Sequence, residues 1–173
     1  TTRTFERNHS DLHNIQERVS TFAVTCAEKL RKQKSCCNTI LVFVQTNGYR
    51  QDLAQYGRSI VIKTDYPTNS SLDIVKYAIK GLKTIYKKGY QYKKAGVIVM
   101  SITPENEKQL NMFTKENPKH NDLMKVIDKM NSSIGKKKIK LACQDLDRTW
   151  KMNQEKLSPR YSTKLDEVII VKA

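Results

Sequence analysis

The segment Gly96-Val97-Ile98-Val99-Met100 is a dense run of apolar and β-branched residues, and it predicts a strand over Ala95 to Ile102. Thr39 to Gln45 and Ser59 to Thr64 have the same character and predict two further strands. Thr2 to Glu6 can supply a weaker strand at the front. Four strands of this kind can bury a real core if helices cover one side of their sheet.

Two amphipathic helices separate these strands. Between Leu12 and Leu30, apolar residues recur at spacings of three and four, and Ser10-Asp11 begins this helix as cap and first-turn acid. The second helix begins at Asn69-Ser70-Ser71, and Gly89 stands where a C-terminal glycine cap is expected. The order β-α-β-β-α-β predicts an α+β fold. In it, two helices cover one face of a four-stranded, largely antiparallel sheet and leave the other face free.

The charge balance indicates a polyanionic partner. The 173 residues include 32 Lys and Arg against 17 Asp and Glu, a formal net charge of +15. Such an excess favours nucleic acid first and a membrane surface second. No helix pairs a strongly basic face with a Trp, Phe and Leu face, and no segment approaches the ~20 apolar residues that span a bilayer, so no membrane partner is expected. A merely soluble basic protein is the alternative.

Catalytic and metal-binding patterns are weak, and no catalytic or metal-ligating residue is expected. His9 and His13 have a helical spacing that suits a metal, but the helix begins after His9, and surface histidines are the preferred interpretation. Asp145 and Asp147 form an isolated D-x-D, better explained by surface ion pairs. The four cysteines lack zinc-ligand spacing and predict reduced thiols in a cytosolic protein, with Cys26 in the core.

Basic residues are concentrated where the predicted strands end and join. They are Arg3, Arg7, Arg50, Arg58, Lys87, Lys88, Lys93 and Lys94. On the open sheet face these cations would follow a phosphate backbone, and the hydroxyls of Thr4 and Ser59 would add hydrogen bonds. Tyr90 and Tyr92 either stack on sugars or bases or pack beside the helix end, and a solvated basic face is the alternative for the whole set.

Several phrases resemble, in order, the little-finger domain of Y-family translesion DNA polymerases, and the UmuC type most closely. The phrases are Gln45-Thr46-Asn47, Gly57-Arg58-Ser59, Gly89-Tyr90-Gln91-Tyr92-Lys93-Lys94-Ala95-Gly96-Val97 and Leu157-Ser158-Pro159-Arg160-Tyr161-Ser162-Thr163 with Asp166-Glu167. The resemblance implies a little finger over residues 1–103, a linker over residues 104–120 and a small C-terminal domain over residues 121–173. A third helix is predicted from Asp122 to Ile134, and a short strand from Lys138 to Cys143.

The resemblance implies that the chain grips primer–template DNA during translesion synthesis in SOS repair, with its sheet in the major groove. The implied DNA contacts are Arg3, Arg50, Arg58, Ser59, Lys93 and Lys94. The implied parent is a bacterial DNA polymerase, cytoplasmic and associated with the nucleoid, whose Mg²⁺-binding palm is absent here. Thr1 to Phe5 show no initiator Met and no signal peptide, so we expect a fragment of that parent. Alone, the fragment is expected to have no enzymatic activity and to need no cofactor.

Two further segments suggest protein partners. Gln109-Leu110-Asn111-Met112-Phe113 resembles the pentapeptide by which bacterial polymerases hold the β sliding clamp, and its implied contacts are Gln109, Leu110, Met112 and Phe113. The alternative is that Leu110 and Phe113 cover the domain's own core. In the tail, Trp150, Tyr161 and Val168 to Val171 either pack on the third helix or bind a partner. The resemblance implies the accessory UmuD′ dimer.

Two rival functions come from other classes. A stand-alone RNA-binding module with a ferredoxin-like sheet would carry aromatic side chains on its central strands for base stacking. The middle strands here offer only Phe43, which argues against that alternative. A small hydrolase or phosphatase on the same fold would need a nucleophile and a base, and no such pair is recognisable in the sequence.

Overall fold

The computed structural model describes residues 1–108, 117–134, 138–145 and 157–168. Its elements are β1 (Thr2–His9), α1 (Leu12–Lys32), β2 (Ser35–Thr46), β3 (Gly57–Thr68), α2 (Ser71–Ile85), β4 (Tyr92–Pro104) and α3 (Pro118–Ser133). Two single 3₁₀ turns, Glu105–Glu107 and Leu165–Glu167, complete the set. The first six elements confirm the predicted order β-α-β-β-α-β.

The four strands form one antiparallel sheet in the order β1-β4-β2-β3. Alternate residues of β2, namely Ile40, Val42 and Val44, are buried against α1 and α2. Their neighbours on the adjacent strands, such as Val97 opposite Val42, are buried on the same side. Both helices therefore cover one face of the sheet, as predicted, and this layer contains the core.

The predicted cap of helix α1, Ser10, is wrong by one residue. Asp11 is the N-cap, because its side chain accepts a hydrogen bond from the Asn14 backbone N–H at 3.1 Å. The predicted apolar stripe is buried from Ile15 to Leu30, including Cys26, and Leu12 at its beginning is half-buried. The last turn carries Lys29, Arg31 and Lys32, which suits the negative end of the helix dipole.

Helix α2 ends earlier than its predicted glycine cap. Ser70 is the N-cap, but the helix stops at Ile85, and Tyr86 is already extended with ψ of 135°. Gly89 is not the helix cap: it lies further on, in the turn that leads to β4, with φ of +97°. Glycine is favoured there because other residues rarely adopt this left-handed conformation.

The strands are longer than their apolar runs predicted. β2 begins at Ser35, β3 continues to Thr68, and β4 extends to Pro104. Apolar runs mark only the part of a strand that faces the core, whereas backbone pairing continues through polar residues. An example is the pairing of Cys37 with Thr68, which lies beyond the predicted limits of both strands.

The region after β4 differs from its predicted boundaries. α3 begins at Pro118 instead of Asp122, because Asn117 caps it and proline suits a first helical turn. Lys138 to Cys143 is irregular and not a strand; two hydrogen bonds between Asn131 and Ile139 hold its beginning to α3. None of the helices in the described ranges is long and apolar enough to cross a membrane.

Candidate nucleic-acid interface

The face of the sheet away from α1 and α2, here called the open face, combines polar and apolar side chains. By strand register it carries Thr2, Thr4, Thr39, Leu41, Phe43, Gln45, Ser59, Val61, Lys63, Lys94, Gly96, Ile98 and Met100. Five of its polar residues lie toward the end where β4 begins, namely Thr2, Thr4, Gln45, Ser59 and Lys94, and Thr39 and Lys63 lie at the other end. The apolar side chains Leu41, Val61 and Ile98 are cross-strand neighbours nearer the other end.

Phe43 lies at the centre of the open face, across Gly96 of the neighbouring strand. A Cβ atom on Gly96 would come within 2.5 Å of Phe43 Cε1 and 2.5 Å of Thr2 Cγ2, so this position has no room for a side chain. Phe43 also lines a shallow depression with Arg58, Ser59 and other residues of β2 and β3. Within it, Phe43 and Ser59 are cross-strand partners on the open face.

A β-bulge brings Lys93 and Lys94 together at the beginning of β4. Lys94 pairs with Gln45, but the next pair of the ladder is Thr46 with Tyr92, so Lys93 is an extra residue. Tyr92 and Ala95, on either side of the two lysines, are both buried. Lys93 Nζ donates to the Glu6 carbonyl at 3.1 Å. Within the described residues no hydrogen bond or ion pair occupies the charged ends of Lys94 and Arg58.

Three of the predicted DNA contacts are placed less favourably. Arg58 pairs with Val44, whose side chain is buried toward the helices, so Arg58 lies on the helix side of the edge strand β3. Arg3 pairs with Ala95, whose side chain is buried toward the helices, so Arg3 lies on the helix side of the edge strand β1. Arg50 lies in the loop between β2 and β3, where its guanidinium forms two hydrogen bonds to Asp52, at 2.7 and 2.6 Å. These bonds lower the pKa of Asp52 and raise that of Arg50. A phosphate would have to compete with Asp52.

The structure separates the two tyrosines whose roles were open. Tyr92 is fully buried, so it cannot stack on a base. Burial also raises the pKa of its phenol. Its hydroxyl accepts from the Lys87 N–H and donates to the Lys87 carbonyl, both at 2.9 Å. Tyr90 is half-buried and packs on Tyr56 with ring centroids 4.8 Å apart. Only Tyr90 keeps part of its ring accessible to a ligand.

Tyr49 was not among the residues predicted to bind. It lies at the tip of the loop between β2 and β3, and 97% of its surface is exposed. The Asn47-Gly48 turn that precedes it is a recognisable loop signal, and an aromatic residue directly after such a turn is the feature that would have identified it. An aromatic ring at this end of the sheet can stack on nucleotides.

His9 corrects the expectation that the first two histidines lie at the surface. It is buried and hydrogen-bonds to Glu6 Oε1 at 3.0 Å, whereas His13 is exposed. Arg18 donates to the same Glu6 oxygen. Burial, together with the positive charge of Arg18, lowers the pKa of His9 even though Glu6 opposes the shift. Burial raises the pKa of Glu6, but hydrogen bonds, including that from His9, and the charge of Arg18 lower it overall.

Other proposed sites are only partly described. In the described ranges, no group of three or more His, Cys, Asp and Glu side chains could hold a metal ion. Asp147 of the D-x-D pattern and Trp150 lie outside these ranges. The predicted clamp contacts also lie outside them: Gln109, Leu110, Met112 and Phe113. Tyr161 and Val168 of the tail are described and exposed.

The amino-acid sequence matches a family model and several characterised relatives. Residues 1–112 match the model of the impB/mucB/samB family C-terminal domain, and residues 121–171 match a domain of unknown function. The chain is 34% identical to Protein UmuC of Salmonella typhimurium over 98% of its own length and 41% of that relative. It is 33% identical to Protein ImpB of Salmonella typhimurium, over 96% of the chain and 39% of the relative. The chain therefore spans about two-fifths of these relatives.

One solved structure is also similar, the little finger domain of PolIV in complex with the beta-clamp processivity factor. The similarity has a TM-score of 0.41 and 16% sequence identity, and it covers 66% of this chain and 96% of that one. The sequence comparisons confirm the resemblance on which the expected function was based.

Proposed function

Because the chain belongs to the impB/mucB/samB family, through the C-terminal domain that covers residues 1–112, we propose that it holds primer–template DNA for a UmuC-type lesion-bypass polymerase. The observation that carries this proposal is the open face of the sheet. Its polar end presents Lys94, whose charge no described residue occupies, on the same face as Phe43 and Ser59. Arg58, also without a described partner for its charge, is exposed on the neighbouring edge strand β3. A polyanion fits this combination better than an apolar or cationic ligand does.

The arrangement suits binding with little sequence preference. Lys94, Arg58 and the bulged Lys93 can contact phosphates, the Ser59 hydroxyl can add a hydrogen bond, and Phe43 can pack on a sugar. Phosphate contacts fix position without reading bases, because every nucleotide carries the same phosphate. A polymerase that moves along its template needs a grip of this kind, since each new register presents different bases.

A titration of duplex primer–template at several salt concentrations tests the proposal. If four to six phosphates are neutralised, log affinity should fall with log salt at a slope of about −4 to −5. The pair Arg58→Gln and Lys94→Gln should flatten the slope by about 2, because each lost phosphate contact removes about 0.9. The control pair Lys32→Gln and Lys129→Gln, exposed on α1 and α3, should leave it unchanged. Salt-independent binding by the unmodified chain would refute the proposal.

We also propose that Gln109 to Phe113 binds the β sliding clamp. The support is the sequence of the segment, with Leu110, Met112 and Phe113 offered from a stretch rich in Lys, Glu and Asn. Short motifs of this kind insert apolar anchors into a cleft. The described residues on either side belong to the folded structure: Lys108 Nζ lies 5.7 Å from the centroid of the Tyr66 ring, and Asn117 caps α3.

Nucleotidyl transfer and the Mg²⁺ that it uses belong, in this proposal, to the part of the relatives that this chain does not span. Transfer requires carboxylates that hold metal ions near the reacting phosphates. The chain alone should therefore not extend a primer in the presence of Mg²⁺ and deoxynucleotides, and template-dependent extension by a clean preparation would contradict this. A role in SOS mutagenesis, at the nucleoid in the bacterial cytoplasm, follows from the same proposal.

The tail beyond Gln144 is proposed to bind an accessory protein, with the UmuD′ dimer as the candidate. Its support is that Tyr161, Leu165 and Val168 expose apolar surface in the described part of the tail. A chain that ends at Cys143 should lose this binding. The alternative of a stand-alone RNA-binding module is not favoured, because Phe43 is the one aromatic side chain that the described middle strands place on the open face.

A further inference from the structure

A row of lysines runs along the exposed side of α2. Lys76, Lys80 and Lys83 are all exposed and recur at spacings of four and three, which places them on one side of the helix. Gly81 marks the opposite side, because a Cβ atom there would lie 2.7 Å from Ile62 Cδ1 of the sheet. This row, here called the lysine ridge, therefore faces away from the sheet and from its open face.

The ridge is continuous with the basic end of the open face. Residues 76–94 contain seven lysines and neither Asp nor Glu. After α2 ends, the exposed residues Lys87 and Lys88 occupy the turn that leads to β4, and the bulge at Lys93-Lys94 follows. Tyr92 holds this turn through its two hydrogen bonds to the backbone of Lys87. Positive charge thus extends from one face of the domain around its end to the other.

No described carboxylate forms an ion pair with a lysine of the ridge. The Asp65 carboxylate, which contacts α2, accepts a hydrogen bond of 2.7 Å from the Tyr77 hydroxyl. The acid nearest to the ridge in sequence is Asp73, whose Oδ2 accepts hydrogen bonds of 3.0 Å from Tyr66 and Thr68 and lies 3.7 Å from His120. Among the described residues, none of the three ridge lysines takes part in an ion pair. A row of uncompensated like charges repels itself, and a bound polyanion would relieve that repulsion.

We propose that the lysine ridge binds single-stranded nucleic acid that leaves the duplex held on the open face; the proposal rests on the proposed function for the position of that duplex. Duplex DNA has a persistence length of about 150 base pairs, so a duplex on the open face cannot turn to reach the far side of the helix layer. A single strand can follow the lysines of residues 87–94 around the end of the domain. The ridge is one cation wide, which suits one backbone better than two.

Tyr90 supports a single strand over a second duplex. It lies at the turn between the two faces, half-buried, with Lys87 Nζ 5.6 Å from its ring centroid. Unpaired bases expose their faces and stack on aromatic rings beside cationic grooves, whereas the bases of a duplex are already stacked on one another. The ridge and this ring together match the usual composition of a single-strand path.

The test compares the triple variant Lys76→Gln/Lys80→Gln/Lys83→Gln with the control Lys29→Gln/Lys32→Gln/Lys129→Gln. The control removes the same charge from exposed positions on α1 and α3. Each protein is titrated with a blunt duplex, with the same duplex carrying an overhang of about 16 nucleotides on either strand, and with an unpaired oligonucleotide of that length. The unmodified chain should bind an overhang duplex more tightly than the blunt duplex.

The ridge variant should lose the extra affinity for the overhang. Its salt slope for the unpaired oligonucleotide should be smaller in magnitude by about 2, because each of three contacts to a single strand accounts for about 0.7. Its affinity for the blunt duplex should match that of the control. Equal losses in ridge variant and control would mean that net charge alone matters, and would overturn the inference. If the unmodified chain does not bind the blunt duplex, the proposed function fails, while the unpaired oligonucleotide still tests the ridge.

Discussion

Arg31 of α1 and Asp128 of α3 form a two-pronged ion pair, with Nε–Oδ2 and Nη2–Oδ1 distances of 2.6 and 2.8 Å. Arg31 Nη1 also donates to the Asn69 carbonyl at 2.8 Å and to Ser71 Oγ at 3.0 Å, just where α2 begins. One side chain therefore joins the two helices of the sheet domain to α3. Met124 of α3 is buried, so an apolar contact accompanies the ion pair.

We predict that Asp128→Asn loosens α3 from the sheet domain without unfolding that domain. An asparagine keeps the shape but loses the charge that both guanidinium bonds require, and hydrogen bonds to charged groups contribute about 1.5–3 kcal/mol. Amide hydrogen exchange should accelerate in α3 and remain slow in β2 and β4. The matched control is Asp122→Asn, because Asp122 is exposed and lies 3.6 Å from Lys125. Unchanged exchange in α3 would show that the ion pair contributes little.

The close contact between Phe43 and Gly96 gives a second prediction. Gly96→Val should displace the Phe43 ring and lower the free energy of unfolding by about 1–3 kcal/mol, because Phe43 and Thr2 leave no space on the open face for the added carbons. Adding Phe43→Ala should recover part of this loss, since the two changes act on one contact. Chemical denaturation measures both effects. Gly48→Ala is the control, because a Cβ atom there meets nothing within 4 Å.

The hydrogen-bonded pair of buried His9 and exposed Glu6 predicts a pH dependence of stability. The pKa of His9 is lowered below its ordinary value of 6.5, so the unfolded chain binds a proton first as the pH falls. The free energy of unfolding should therefore decrease as the pH drops below 6.5 toward the folded pKa of His9. It should decrease again below 4.5, where the lowered pKa of Glu6 has the same effect.

Urea denaturation at about pH 7.5 and about pH 5.5 measures the contribution of His9. His9→Gln should reduce the difference in unfolding free energy between the two conditions, whatever it does to stability at either one. His13→Gln should leave the difference unchanged, because His13 is exposed. An unmodified chain that is equally stable under both conditions would contradict the assignment.

The clamp motif gives the fourth prediction. Leu110→Ala with Phe113→Ala should abolish measurable binding to the β sliding clamp, because each lost anchor is expected to cost about 2 kcal/mol or more, about thirtyfold in affinity. DNA affinity should stay nearly the same, since neither side chain is charged. Titration of the clamp against both proteins, with thermal unfolding alongside, distinguishes the alternatives. Normal clamp binding would refute the motif, and a large loss of stability would assign these residues to the core.

Much of the fold was predictable because its signals are local. The stripe from Leu12 to Leu30 fixes a helix through contacts between residues three and four apart. The predicted cap, Ser10, was one residue too early, because the Asn14 N–H bonds to the Asp11 side chain. The apolar runs of β2 and β4 likewise identify strands that are buried on one face. Phe43 was recognised as the aromatic residue of the middle strands, although its place across Gly96 was not predicted.

The candidate site was less predictable, because a side chain's face depends on strand register. The sequence alone identified Arg58, Ser59, Lys93 and Lys94 as candidates, but not the bulge that places the two lysines together. It could not show that Arg3 lies on the helix side of β1, since that follows from the pairing of Arg3 with Ala95. Shifting a strand by one residue moves every side chain to the opposite face.

The sequence by itself determined the order of helices and strands and the excess of positive charge. Only the tertiary structure decided that Tyr92 is buried while Tyr90 stays accessible, that His9 is inside, and that the lysines of α2 face away from the sheet. The physical reason is the range of the interactions. Periodicity and capping act within a few residues, whereas burial depends on contacts between segments far apart in the chain, such as β1 and β4.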